Sequence, residues 1–204
     1  MTDALFSALL LMLGSSPELT PNDGASTIAE LSQRNAGLKS YTFDLHVAIL
    51  VHSIPQLRFH LDGTGEYERP ATYIVHFKKV PWFAPKGFEN VSLMPLEPSS
   101  WPKQYTITTV QHDGDTTTLT MKDKIKSPLS EAKATLDARS GLKQMIWSYN
   151  YGGRIQLDVT PSDVSGFPLP STEDADITMP ALKVTAHADF TNYHVTADDA
   201  ATLP

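Results

Sequence analysis

Hydrophobic and polar residues alternate along most of the chain from Tyr41 onwards. In the segment 41–51 every second residue is aromatic or aliphatic, and most residues between them are polar or small. Successive side chains of a β-strand point to opposite faces, so this pattern predicts a long strand with one buried face. The same reading predicts further strands at 57–61, 73–77, 104–110, 116–122, 132–138, 143–151, 154–160, 181–190 and 193–196.

Turn-forming residues separate these segments. Asp113-Gly114-Asp115 stands between two strand patterns, and Gly152-Gly153 joins two apolar ones, as is typical of a hairpin. No helical pattern alternates with the strands, so a parallel sheet with crossover helices is not expected. The chain therefore predicts a mainly β (α+β) fold built on an antiparallel sheet.

A short helix is predicted before the first strand. Thr27-Ile28-Ala29-Glu30 has the form of a capping box, in which the hydroxyl and the carboxylate each bind a free backbone amide. Ile28, Leu31 and Leu38 recur at near-helical spacing, and Gly37 is a suitable end. Such an amphipathic helix needs an apolar surface to lie on.

Residues 80–103 form a long proline-containing segment with large aromatic side chains at Trp82, Phe83, Phe88 and Trp101. Long loops of this kind are usually functional or packed on themselves. Two interpretations stay open. The aromatic residues belong either to a lid or docking loop, or to the core at one end of the sheet.

The first residues are treated separately from the fold. Residues 4–13 are an apolar run that is too short to span a bilayer, which takes about 20 residues. The run has the length of a signal-peptide core, although no Lys or Arg precedes it, and a packing helix is the alternative. We expect a leader and linker at 1–24, one domain at 25–196 and a tail at 197–204.

Charge and cysteine content exclude several classes of function. The net charge of −7 disfavours nucleic-acid binding, which needs a basic surface, and also disfavours simple electrostatic adhesion to anionic membranes. The absence of cysteine excludes disulfides, thiolate metal sites and thiol catalysis. The seven histidines show no HExxH spacing, and no nucleophile elbow or phosphate-binding loop is present. We expect no catalytic activity, no metal site and no cofactor.

The order of several short motifs resembles a known family. A helix ending near Leu38 is followed by two strands, by Gly63-Thr64-Gly65-Glu66-Tyr67-Glu68-Arg69-Pro70 and by the aromatic strand 71–77. Lys103–Ile107 with Asp113-Gly114-Asp115 forms a middle hairpin, and 188–193 reads as a closing strand. This set, over about residues 25–196, resembles the LolA lipoprotein carriers and related lipoprotein-sorting proteins. The proline-containing segment 80–103 replaces an aromatic hairpin of that family.

The resemblance implies an open antiparallel half-barrel with the N-terminal helix packed on its concave face, which would hold acyl chains. Arg69 would latch the lid, and Tyr73 would lie near the cavity mouth. The alternating strand faces would supply the lining, although any β-sandwich core would show the same alternation. The expected lining residues are Phe43, Leu45, Val47, Ile49, Phe59, Tyr73, Val75, Phe77 and Trp147.

The function expected from the resemblance is that of a periplasmic or extracytoplasmic carrier of lipoprotein acyl chains or lipids. The alternative is a lipoprotein-sensing or protein-interaction module of the same fold without a transport role. The expected partners are acyl chains or lipids, with a membrane protein as a possible partner for loading or release. The chain is expected to be a monomer that binds no nucleic acid.

Overall fold

The computed structural model describes residues 23–70, 72–82, 84 and 86–198. Two helices are present in this part of the chain, α1 (Asp23–Arg34) and α2 (Trp101–Gln104), with two 3₁₀ turns at Met94–Leu96 and Pro98–Ser100. The strands are β1 (Leu38–Val51), β2 (Leu57–Glu68), β3 (Thr72–Phe77), β4 (Asn90–Ser92), β5 (Tyr105–Asp113), β6 (Thr116–Asp123), β7 (Leu129–Asp137), β8 (Gly141–Tyr149), β9 (Arg154–Val164), β10 (Phe167–Met179) and β11 (Leu182–Ala197).

All described strands belong to one antiparallel sheet in the order β4-β3-β2-β1-β11-β10-β9-β8-β7-β6-β5. The sheet is open, because β4 and β5 are its two edges and are not paired with each other. Every connection along the order joins neighbours in sequence except the pairing of β1 with β11. This pairing places the first and last strands of the described chain side by side in the interior of the sheet. No helix in the described part of the chain is long and apolar enough to cross a membrane.

One face of the sheet, the covered face, carries the core. In β1 the side chains of Tyr41, Phe43 and Leu45 are buried, as the alternation predicts. Gly65 of β2 lies opposite Phe43, and a Cβ atom at Gly65 would occupy the position of the Phe43 ring. The glycine therefore lets a large aromatic side chain lie flat across the neighbouring strand.

Two hydrophobic clusters share the covered face. The first lies on β1, β2, β3 and β11 and includes Tyr41, Phe43 and Phe190. The second lies on β5 to β8 and includes Leu119, Met121 and Met145. Leu96 packs against both clusters, so it bridges the two halves of the sheet.

Two segments cover this face. Helix α1 contributes Ile28, which is 4% exposed, to the second cluster, and Gly24 at its start lies against Ile107 of β5. The covering segment, defined as residues 93–104, contributes Trp101, which is fully buried and donates its indole N–H to the carbonyl of Pro95 at 2.8 Å. The expected helix on the concave face of an open antiparallel sheet is confirmed.

The strand predictions are confirmed for most of the chain, with three differences. Strand β10 at Phe167–Met179 was not predicted, because Pro168, Pro170 and a run of acidic residues hide its alternation. The two predicted strands at 181–190 and 193–196 are one strand, β11, with an irregular register opposite Thr42 and Asp44. The segment 80–103 is not a continuous loop, because it contains β4, both 3₁₀ turns and the start of α2.

The predicted start of the helix is wrong. Helix α1 begins at Asp23, so Thr27 lies inside it and is not its cap. The helix ends at Arg34, before Gly37. The expected leader at 1–24 overlaps α1 by two residues, and the rest of it lies outside the described residues, as do Phe83 and 199–204.

Candidate functional site

A cavity of about 120 Å³ lies on the covered face, at the end of the sheet where β1 begins and β2 ends. It lies between the two halves of the sheet and is roofed by Leu96, Glu97 and Pro98 of the covering segment. The turn between β7 and β8 closes one side with Ser140, Gly141 and Leu142. Its remaining lining comes from Asn35, Leu38, Tyr41, Tyr67, Arg69, Tyr73, Val159, Pro161, Pro168, Leu169, Pro170 and Glu173.

Three tyrosines form the aromatic wall of the cavity. The rings of Tyr41 and Tyr67 stack with their centroids 4.8 Å apart, and Tyr73 meets both rings edge-on. Burial raises the pKa of Tyr41 and of Tyr73 well above the usual value, so both hydroxyls stay protonated. The wall is therefore uncharged and presents hydroxyl groups beside apolar ring faces.

Glu173 is the charged residue that the described structure buries on this face. It lies on β10 between Ala188 of β11 and Val159 of β9, and its side chain is 8% exposed. Within the described residues it has no hydrogen bond or ion pair, and burial raises the pKa of its carboxyl from 4.5 to about 7. The side-chain oxygen of Asn35, which lines the same cavity, is also buried without a partner. The cavity thus contains two acceptor groups that lack donors.

Glu97 and Arg69 form the second polar feature. Glu97 belongs to the covering segment, and burial raises the pKa of its carboxyl while the nearby Arg69 guanidinium opposes this rise. Arg69 donates from Nε to the Tyr67 hydroxyl at 3.3 Å and from Nη1 to the Ala36 carbonyl at 3.4 Å. Ala36 lies in the turn directly after α1, so Arg69 links the end of β2 to the base of the covering helix.

The predicted lining residues are distributed along the covered face, and of these only Tyr73 borders the cavity. Phe43, Leu45 and Val75 are buried in the first cluster, with Val47 and Phe77 packed against it. Trp147 packs against the second cluster and donates its indole N–H to the Tyr105 hydroxyl at 3.4 Å. Ile49 and Phe59 are paired on β1 and β2 and are partly buried. Their role in holding a ligand stays a prediction.

The predicted lid or docking residues separate into two groups. Trp101 is core, as described above, and the ring of Phe88 stacks on Phe77 at 5.8 Å. Trp82 is 93% exposed, and Phe83 lies outside the described residues. Phe88 and Trp101 are therefore packed, whereas the side chain of Trp82 is exposed to solvent. A lid or docking role for these residues stays a prediction.

The sequence patterns missed Glu173, Glu97 and Asn35. If β10 is assigned as a strand, its alternation places Glu173 on the same inward face as Leu169 and Ala175. A carboxylate at such a position is the signal that could have identified Glu173 from the sequence. Glu97 and Asn35 lie in irregular segments, where no periodicity assigns a face.

His46 and His187 lie on the opposite, outer face of the sheet, because they alternate with the inward-facing Leu45 and Ala188. His46 pairs with Asp62 and His187 with Asp174, each at 2.7 Å between nitrogen and oxygen. All four side chains are roughly half exposed. No group of three or more metal-ligating side chains occurs within the described ranges.

The architecture has counterparts among solved structures. An outer membrane lipoprotein-sorting protein domain from Vibrio parahaemolyticus superposes with a TM-score of 0.61 at 9% identity, and the superposition covers 91% of this chain and 95% of that one. A DUF1329 family protein from Desulfovibrio piger gives a TM-score of 0.63 at 8% identity, covering 92% and 96%. A LolA superfamily protein from Nitrosomonas europaea gives 0.56 at 10% identity, covering 89% and 94%.

The chain has a LolA-like fold. The superposition extends over almost the whole length of each protein, so the resemblance read from the motif order is confirmed at the level of the fold. No protein-family model and no curated protein sequence matches the chain. Identities of 8–10% support the shared LolA-like architecture and no particular activity.

Proposed function

We propose that the chain binds amphiphilic ligands, either lipids or the acyl chains of lipoproteins, on the covered face and carries them in an extracytoplasmic compartment. The observation that supports this most directly is an open apolar sheet face that, within the described residues, α1 and the covering segment close, with a cavity beneath that cover. The LolA-like fold is consistent with such a role. No catalytic step is proposed.

The energetics favour a ligand that displaces part of the cover. A cavity of 120 Å³ is too small for a long acyl chain, so the chain must replace side chains that now pack on the sheet. An acyl chain that removes ~300 Å² of apolar surface from water gains about 7 kcal/mol before ordering costs. This gain is what would offset the loss of contacts when the ligand replaces part of the cover.

The polar end of the cavity indicates the kind of head group that fits. Glu173 and the Asn35 oxygen are acceptors without donors, and a buried acceptor is costly until it is hydrogen-bonded. An ammonium or hydroxyl head would donate to them. A carboxylate head would add a negative charge beside Glu97 and Glu173, which both line the cavity. We propose a donor-bearing head near Glu173 and hydrocarbon along the covered face.

The test compares three probes with one chain length, decylammonium, decanol and decanoate, by titration calorimetry at submicellar concentration. Decanol is expected to bind, decylammonium to bind at least tenfold more tightly, and decanoate to bind most weakly. Glu173→Gln should remove most of the preference for decylammonium and leave decanol binding unchanged. Glu68→Gln, an exposed carboxylate at the end of β2, is the matched control and should change none of the affinities.

The possible results separate the two parts of the proposal. Absence of binding by all three probes, together with no lipid in an organic extract of the purified protein, would contradict the carrier function. If decanol binds and decylammonium binds no more tightly, the proposal of an apolar binding site stands and the proposal of a donor-bearing head group near Glu173 is contradicted.

The alternative function is a sensor or protein-interaction module, and the specific observation in its favour is the exposed Trp82. Deletion of residues 79–86 separates the two functions. The carrier proposal requires probe affinities within about twofold of the intact chain, because the described residues of this segment do not line the cavity. If the variant that lacks residues 79–86 no longer co-purifies with a protein partner of the intact chain but binds the probes unchanged, the sensor or protein-interaction function is favoured.

A further inference from the structure

The large apolar side chains that are exposed in the described residues all lie at one end of the sheet. They are Ile54, Leu57, Trp82, Ile125, Tyr151 and Leu182, and we call this set the apolar rim. Single exposed apolar residues are ordinary on a protein surface, but their collection at one end is not. Trp82, Ile125 and Ile54 are 93%, 75% and 103% exposed.

The topology explains how residues so far apart in sequence share one end. In an antiparallel sheet alternate turns lie at the same end of the strands, and here these are the β1–β2, β6–β7, β8–β9 and β10–β11 turns. The segment after β3 runs to the same end, because the amide of Lys78 continues the pairing with β2 by binding the carbonyl of Asp62. The five connections carry all members of the apolar rim.

The charges at this end are mostly positive, although the whole chain carries −7. In the segments 78–89, 123–128, 150–154 and 179–183 the acidic residues are Glu89 and Asp123, against seven basic ones. The basic residues there are all exposed, and they are Lys78, Lys79, Lys86, Lys124, Lys126, Arg154 and Lys183.

The other end of the strands has the opposite character. The acidic residues of its turns and strand ends are Glu68, Asp113, Asp115, Asp137, Asp163 and Asp198. The basic residues there are Lys39, Arg69 and Arg139. The molecule is therefore polarised along its strands, with apolar and basic groups at one end and acidic groups at the end that holds the cavity.

We infer that the apolar rim and its surrounding lysines dock the protein onto a lipid bilayer that contains anionic head groups. Tryptophan and tyrosine rings partition to the membrane interface, where ring faces meet hydrocarbon and the N–H or O–H meets head groups. Lysine side chains next to them pair with anionic lipids, and each contributes about a fivefold gain in binding near such a surface. Apolar and basic side chains occur together on four of the five connections, all except the β1–β2 turn.

The spacing of the rim favours a fluid surface over a shaped protein partner. Adjacent turns at one end of an antiparallel sheet are two strands apart, which is about 10 Å. Each connection presents one apolar side chain, or two at the β1–β2 turn, whereas protein interfaces concentrate their energy in a packed central cluster. Separate shallow insertions suit a bilayer, because lipids rearrange around each side chain.

The inference does not depend on the proposed ligand, because the rim and the cavity lie at opposite ends of the strands. The experiment is co-sedimentation of the full chain with vesicles of phosphatidylcholine alone and of phosphatidylcholine with about one third phosphatidylglycerol. We expect at least tenfold tighter binding to the anionic vesicles, with a marked loss at high salt because screening weakens exposed charges. The emission of exposed Trp82 should shift to shorter wavelength, since Trp101 is already buried.

Two double variants test the two elements separately. Trp82→Ser with Ile125→Ser, and Lys124→Glu with Lys126→Glu, should each weaken binding to anionic vesicles at least tenfold. Arg139→Glu removes an equally exposed cation, 87% accessible at its side chain, from the other end and should change binding less than twofold. Failure of the unaltered chain to bind anionic vesicles, binding that survives both double variants, or an equal loss with Arg139→Glu would each overturn the inference.

Discussion

At the scale of single residues, Glu173 shows how one side chain departs from the pattern around it. Its neighbours across the sheet are Ala188 and Val159, so an ionised carboxylate there faces mainly apolar groups. The charge of Glu173 acts on the hydroxyls of Tyr73 and Tyr193, whose pKa values are raised by burial first and by this charge in addition. Neither group can neutralise a carboxylate, and the proton on Glu173 does so instead.

Stability is therefore expected to fall as pH rises from 4.5 to about 7. Burial raises the pKa of Glu173, so the folded chain binds this proton more tightly than the unfolded chain does. The protonated carboxyl therefore contributes to the free energy of unfolding at low pH, and this contribution is lost as the carboxyl ionises in the folded chain. A rise from 4.5 to about 7 corresponds to about 3 kcal/mol at most. In urea unfolding at pH 5 and pH 8, Glu173→Gln should reduce the difference in stability between the two conditions by about 1–3 kcal/mol.

Glu68→Gln, at an exposed position, serves as the control and should leave that difference unchanged. If the Glu173→Gln variant loses as much stability between pH 5 and pH 8 as the unaltered chain, the carboxyl of Glu173 does not titrate in this range.

At the scale of the elements, the pairing of β1 with β2 depends on a residue without a side chain. Gly65 stands opposite Phe43, and the ring of Phe43 covers the position that a Cβ atom would take. Phe43 is 2% exposed and contacts Phe190 and Tyr193, so the ring has no free space into which to move. The first hydrophobic cluster thus rests on a glycine in the middle of a strand, where glycine is otherwise unfavourable.

Gly65→Ala is predicted to destabilise the fold by about 1–3 kcal/mol, because the added methyl group displaces a packed ring. Denaturant midpoints by circular dichroism measure the effect. Gly37→Ala is the matched control, since a Cβ atom there meets no neighbouring atom within 4 Å, and it should change stability by less than about 1 kcal/mol. Equal stability of the two variants would mean that the Phe43 ring can move aside without cost.

At the scale of the whole molecule, Arg69 connects the sheet to its cover. The guanidinium of Arg69 donates to the Ala36 carbonyl, in the turn after α1, and to the Tyr67 hydroxyl. Its role as a latch for the lid stays a prediction. Arg69 also lies next to Glu97, whose carboxyl belongs to the covering segment. Both covering segments therefore approach the same guanidinium, and its removal should loosen both.

We predict that Arg69→Leu retains the fold and releases bound decanol several times faster than the unaltered chain. The reason is that opening of the cover then breaks no charge-assisted bond. Stopped-flow displacement measures the release rate, and Arg139→Leu at an exposed turn is the control. An unchanged affinity and release rate in Arg69→Leu would exclude the latch.

The alternation alone predicted most of the strands, the buried face of β1 and the antiparallel class, because each of these depends on neighbours within a few residues. The capping interpretation at Thr27 failed because a local motif was read without the helix turn that precedes it. Strand β10 was missed because two prolines and alternate acidic residues obscure its apolar positions. The inward direction of Glu173 follows from the pairing of β10 with β9 and β11, which no local pattern contains.

The sequence by itself determined the strand periodicity and, through the order of short motifs, the LolA-like architecture. The tertiary structure alone decided which irregular residues reach the cavity and which turns meet at one end. Net charge illustrates the difference, since a total of −7 predicts no attraction to anionic membranes while the antiparallel order gathers seven basic residues beside the apolar rim. Charge and exposure act through distance in space, and that distance is set by strand order rather than by position along the chain.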